Sequence, residues 1–105
     1  MSAVQEIPAR IKDVVESVRP DATVILYGSR SRGDYHEMSD WDVLILVDGD
    51  KLTGAEKRKI TYPLFDIEIE TGELISPLVL TRSDWETRHR ITPFYENVLK
   101  EGQTL

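Results

Sequence analysis

The stretch Asp40–Val47 (DWDVLILV) constrains the fold more than any other part of the chain. Strand side chains alternate between two faces, so Asp40, Asp42, Leu44 and Leu46 share one side while Trp41, Val43, Ile45 and Val47 share the other. Beyond its first residues such a strand is apolar on both sides. It belongs in the middle of a sheet covered on both faces, which requires further strands beside it and helices above and below. At 105 residues the chain has room for one such core, and residues 1–105 are expected to form a single domain.

The flanking segments supply the pieces. Ile7, Ile11, Val14, Val15 and Val18 recur at helical spacing and predict a helix from about Ile7 to Val18, with Pro8 tolerated only in its first turn and Pro20 ending it. Thr23–Tyr27 (TVILY) is a short β-branched and aromatic strand that stops at Gly28. The segment Gly54–Thr71 is ambiguous: Ile60, Leu64 and Ile67 fit a helix, yet Phe65, Ile67 and Ile69 alternate with Asp66, Glu68 and Glu70 as in a strand. A helix interrupted near Pro63 is favoured, because Leu74–Leu80 (LISPLVL) reads as the next strand. Ser83 and Glu86 form a capping-box pattern for a helix through Trp85, and Pro93–Lys100 reads as a last helix ended by Gly102. The order is α/β.

Between the first two strands lies GSRSRG, Gly28–Gly33. A Gly-Ser turn opening a helical piece offers backbone N–H groups and a hydroxyl to phosphate without side-chain bulk, which makes Gly28 and Ser29 candidate phosphate ligands. Arg30 and Arg32 add charge and forked donors, with at most one expected to face the site. Taken alone, the same six residues are an ordinary strand-to-helix turn. Asp40 and Asp42, two carboxylates on one strand face, repel unless a cation neutralises them. They suggest a hard, oxygen-ligated ion such as Mg²⁺, or else simply the solvated start of a strand.

The combination is more specific than either half. LYGSRSRGDYHEMSDWDVLILV resembles the signature of the polymerase-β nucleotidyltransferase superfamily, and among its branches the short MNT-type proteins, whose pattern is Gly-Ser, ten residues, Asp-x-Asp. The resemblance covers mainly Pro20–Val47. It implies a small mixed sheet with flanking helices, a turn at Gly28, Ser29, Arg30 and Arg32 gripping a nucleoside triphosphate such as ATP, and Asp40 and Asp42 as ligands of one or two Mg²⁺. It also implies transfer of a nucleoside monophosphate to a hydroxyl, with release of pyrophosphate. Active members carry a third carboxylate on the later strand. If Leu74–Leu80 is that strand, the position falls near Ser76 and the ligand is missing; if Phe65–Glu70 is, Asp66 or Glu68 fills it.

Composition narrows the setting. Cysteine is absent, which removes disulfides and thiolate chemistry, and 13 basic against 19 acidic residues give a net charge of −6, a poor match for long nucleic acid. No apolar run approaches a membrane span, and Met1–Arg10 lacks the features of a signal peptide, so a cytoplasmic setting is expected. His36 is read as a loop residue, His89 has no assigned role, and Trp41 and Trp85 are expected to fill core. A chain this short has little left for a base pocket or an acceptor site. The resemblance implies that a separately encoded helical protein of the HEPN type completes them, with this chain as the antitoxin of the pair. The alternative is a degenerate nucleotide-binding module that works by covering its partner.

Overall fold

The computed structural model describes residues 3–33 and 39–105. In chain order the elements are α1 (Ala3–Val18), β1 (Thr23–Tyr27), α2 (Ser29–Arg32), β2 (Trp41–Val47), α3 (Gly54–Thr71), β3 (Ile75–Thr81), α4 (Arg82–Thr87), α5 (Pro93–Glu101) and β4 (Gln103–Thr104). The strands form one mixed sheet in the order β3-β2-β1-β4. β1 runs antiparallel to both β2 and β4, whereas β3 is parallel to β2, a pairing that needs the long crossover α3 provides.

Both faces of β2 are buried, as its composition demands. Val43, Ile45 and Val47 meet Ile7, Ile11 and Val15 of α1 and Ile60, Leu64 and Ile67 of α3 on one side. Leu44 and Leu46 meet Trp85 of α4 and Val98 of α5 on the other, flanked by Tyr27, Phe94 and Tyr95. Each fully buried Val, Leu or Ile side chain contributes about 1.5–3 kcal/mol of transfer free energy, so β2 holds the two layers together. Trp41 and Trp85 are both buried, in keeping with their expected core role.

Several boundaries differ from the sequence expectation. α1 begins at Ala3, so Pro8 lies inside the helix rather than in its first turn. α3 is not interrupted at Pro63; it runs unbroken through that residue. The lost N–H is offset by a capping box in which the Thr53 hydroxyl accepts from the Glu56 N–H while Glu56 accepts from the Thr53 N–H, and by three buried side chains on the inward face. The cap of α4 is Thr81, not Ser83: its hydroxyl accepts from the Asp84 N–H at 3.0 Å. β4 was not expected at all. No helix among the described residues is long and apolar enough to cross a membrane.

Candidate functional site

Antiparallel pairing places Tyr27 opposite Asp42, so the chain leaves β1 where β2 begins. Gly28 follows at once, with φ 79° and ψ −160°, a conformation that disfavours any side chain. It also lies flat against the aspartate: a Cβ at residue 28 would sit 2.5 Å from Asp42 Oδ2. Ser29 then opens the single turn of α2, where the N–H groups of Ser31 and Arg32 both donate to the Gly28 carbonyl at 3.1 Å. Asp40 stands just ahead of β2, and its Oδ2 accepts a 2.7 Å hydrogen bond from the Ser76 hydroxyl. The glycine turn and the paired aspartates are therefore brought together at one end of the sheet.

The electrostatics agree with that crowding. The Asp42 carboxyl is raised above its ordinary value, first by burial and then by the charge of Asp40, with Arg32 opposing both. Tyr27 is likewise raised, by burial and by Asp42. Two carboxylates and a hydroxyl with surplus negative charge are the donor set a hard cation takes, so these residues fit Mg²⁺. Among the described residues no cluster of three or more histidine, aspartate or glutamate side chains forms. Parallel pairing puts Ser76 directly opposite Asp42, so a hydroxyl stands at the strand position where the sequence resemblance leads us to expect a third carboxylate. The alternative that gave Asp66 this role does not hold, because residues 65–70 are helical and Asp66 is exposed on α3.

The two arginines part company. Arg30 turns inward with its side chain 2% exposed. Its guanidinium donates to the Ser39 carbonyl at 3.1 and 3.3 Å, reaches Glu73 at 3.3 Å, and covers the Trp41 ring at 4.5 Å. It ties the turn to the start of β2 instead of facing the aspartates. Arg32 is half exposed and pairs with Glu101 at 3.0 and 3.2 Å.

Glu101 was not a sequence candidate. Its Oε1 also accepts from the Gly28 N–H at 3.2 Å, while its carbonyl accepts from the Ser31 hydroxyl. Gln103 donates from Nε2 to the Ser31 carbonyl at 3.2 Å. The end of α5 and the start of β4 thus clasp the turn, and a carboxylate already sits on its first N–H. Nothing in the local sequence marks this, since the contact spans more than seventy residues and depends on a strand of two. His36 lies outside the described residues.

Residues 9–101 match the nucleotidyltransferase domain family. Two proteins of Methanocaldococcus jannaschii, each provisionally named a protein adenylyltransferase, are similar in sequence. MJ0141 is 45% identical over 60 residues, covering 57% of this chain and 60% of that protein. MJ0604 is 34% identical over 86 residues, covering 78% and 75%. The chain thus spans about three fifths of MJ0141. Among solved structures, a toxin–antitoxin structure with AMP-PNP superposes with a TM-score of 0.62 at 19% identity, over 91% of this chain and 69% of that one. A mutant of the toxin–antitoxin pair MntA-HpeT, with two aspartates two positions apart replaced by glutamate, gives 0.61 at 17% identity over 91% and 69%. A provisionally assigned nucleotidyltransferase from Sulfolobus solfataricus gives 0.53 at 21% identity over 99% and 86%. At these identities the structures speak for the fold, a mixed sheet with flanking helices. The sequence match extends well beyond the glycine turn and the aspartates, and by it the chain belongs to the nucleotidyltransferase domain family.

Proposed function

We propose that the chain binds a nucleoside triphosphate, ATP in the first instance, together with Mg²⁺, and transfers the nucleoside monophosphate to a hydroxyl of a partner protein. The carrying observation is the seating of Gly28 against the Asp42 carboxylate with Asp40 beside it, which leaves phosphate and cation one place to meet. The provisional names of the M. jannaschii relatives support protein as the acceptor. The solved pair with AMP-PNP supports an adenine nucleotide, and the pair altered at two aspartates shares the spacing of Asp40 and Asp42.

In this reading Gly28, Ser29 and Arg32 hold the phosphates, the last after leaving Glu101. Asp40 and Asp42 hold the cation, which supplies neutralisation of phosphate charge and acidifies the acceptor hydroxyl. The acceptor oxygen bonds to the α-phosphorus, the bond from that phosphorus to the bridging oxygen breaks, and pyrophosphate departs with the hydroxyl proton lost to solvent. The Ser76 hydroxyl orients Asp40 by its hydrogen bond. The partner is a helical protein of the HEPN type in the cytoplasm, for which this chain serves as the antitoxin.

A second reading, a nucleotide-binding module without transfer activity, is favoured by Ser76 standing opposite Asp42, where the sequence resemblance implies a third carboxylate. Labelled ATP and Mg²⁺, incubated with the chain and the protein encoded beside it, separates the two. Label on the partner that disappears with Asp42→Asn supports transfer. Nucleotide binding without label in any pairing leaves the module.

A further inference from the structure

Register across the sheet sets three polar side chains in one row. Tyr27 of β1 stands opposite Asp42 of β2, and Asp42 stands opposite Ser76 of β3. Residues paired across neighbouring strands share a face, so two hydroxyls flank the aspartate on the side that α4 and α5 cover. Their surroundings differ. The Tyr27 ring stands edge-on to Phe94, with centroids 5.3 Å apart, and belongs to the apolar cluster beneath α4 and α5. Ser76 instead donates from Oγ to Asp40 Oδ2 at 2.7 Å. It is only half-buried, and it lies on an outer strand of the sheet.

A serine hydroxyl is a weak nucleophile until a base takes its proton. Base and hydroxyl must then lie within about 2.6–3.2 Å of each other, and Asp40 and Ser76 meet that condition. The oxygen of Asp40 that faces the serine leaves the other one, and the Asp42 carboxylate, for a cation. Ser76 is thus a hydroxyl that the chain itself brings to the site, and a tethered reactant outcompetes a dissolved one by its high effective concentration.

We infer that the transfer activity proposed above, on which this rests, has an acceptor inside the chain: without a partner, adenosine monophosphate passes from ATP to Ser76 Oγ. Oγ bonds to the α-phosphorus, the bond from that phosphorus to the bridging oxygen breaks, pyrophosphate leaves with the electron pair, and the Oγ proton goes to Asp40. The ester so formed has no proton to donate and fills the row beside Asp42. Each chain therefore reacts once.

Intact-mass spectrometry of the purified full chain incubated with ATP and Mg²⁺ reads the step directly. A gain of one adenylyl group per chain is expected, with no second addition, and fragmentation should place it on Ser76. Ser76→Ala should abolish the adduct, while Ser76→Thr, which keeps a hydroxyl, should retain it, both with cooperative melting. Loss in Ser76→Ala would also follow from a displaced Asp40, so the fragment that carries the added mass decides. Titration of ATP under the same conditions keeps two failures apart. ATP bound without any mass gain overturns self-modification and leaves nucleotide binding standing, whereas no ATP bound removes both. An adduct on Tyr27 or any other residue, or one undiminished in Ser76→Ala, overturns it as well.

Discussion

A methyl group at residue 28 has nowhere to go: φ is 79°, and the Asp42 carboxylate lies 2.5 Å from where Cβ would stand. Gly28→Ala should therefore cost about 1 kcal/mol for the backbone alone and more for the displaced carboxylate, visible as a lower melting temperature. Nucleotide affinity should fall about tenfold if, as proposed, the displaced carboxylate takes part in holding the cation. Asp42→Asn should do the reverse to stability. The Asp42 carboxyl is raised by burial and by Asp40, so in the folded state the ionised form is disfavoured. Its destabilising effect is absent below the unfolded value of about 3.9 and fully present above the raised folded value. At neutral pH the amide should melt a degree or two higher while nucleotide binding with Mg²⁺ is lost, and an unaltered or lower melting temperature would contradict this account of the site. These residues were legible in the sequence because the position itself dictates the residue type. Arg30 and Arg32 were not separable, because alternate residues of one turn differ only in what the rest of the fold puts beside them.

At the scale of elements, the end of the sheet away from the site is tied by an ionic cluster. Asp21, after α1, accepts from Arg19 at 2.9 and 3.0 Å and from the Asp48 N–H at 2.8 Å. Arg82, after β3, reaches Asp48 at 2.8 Å, the Thr23 hydroxyl at 2.9 Å, and the Asp21 carbonyl. Three connections, α1–β1, β2–α3 and β3–α4, are thereby gathered at one point. The Arg19 hydrogen bond, aided by the Asp48 N–H, holds the Asp21 carboxyl far below its usual value. The sign follows: its contribution is complete above an unfolded value of about 3.9 and is lost as pH falls from there toward the depressed folded value. Asp21→Asn should lower stability by about 1 kcal/mol at pH 7, a figure kept small because the pair is partly exposed. The deficit should shrink when melting is repeated near pH 3, and nucleotide binding should be untouched. None of this was legible, since charged turn residues carry no periodicity. The helix α3 was legible in type but not in continuity: Pro63 argued for a break, and burial of Ile60, Leu64 and Ile67 overrode it. The strand-like alternation over 65–70 mixes the inward Ile67 with the exposed Phe65 and Ile69 and reflects a helix apolar on two sides rather than a sheet.

For the whole molecule, layering was readable because β2 is apolar on both sides, and that demand fixes where helices go. Closure of the C-terminus was not readable. β4 pairs with β1 through Ile25↔Thr104 and Leu26↔Gln103, and the Leu105 N–H donates to Val24 at 2.8 Å, yet two residues carry no strand signal. This pairing delivers Glu101 to the Gly28 N–H and Arg32, the same donors a phosphate needs. On the proposed function a carboxylate there stands where a phosphate would bind and would have to be displaced. Glu101 and Arg32 form a partly exposed pair, and such pairs are worth about 1 kcal/mol or less, so the displacement is affordable. Glu101→Gln keeps the shape, retains an acceptor for Gly28, and removes the negative charge. Its apparent affinity for ATP should therefore rise up to about fivefold, the ratio equivalent to 1 kcal/mol, with a gain that shrinks in high salt. Deleting residues 103–105 should give a similar gain together with a lower melting temperature, because the β4 hydrogen bonds go with it. Isothermal titration on the wild type and both variants decides the matter: weaker binding in Glu101→Gln would mean that the carboxylate helps hold nucleotide, and equal binding that phosphate never meets it.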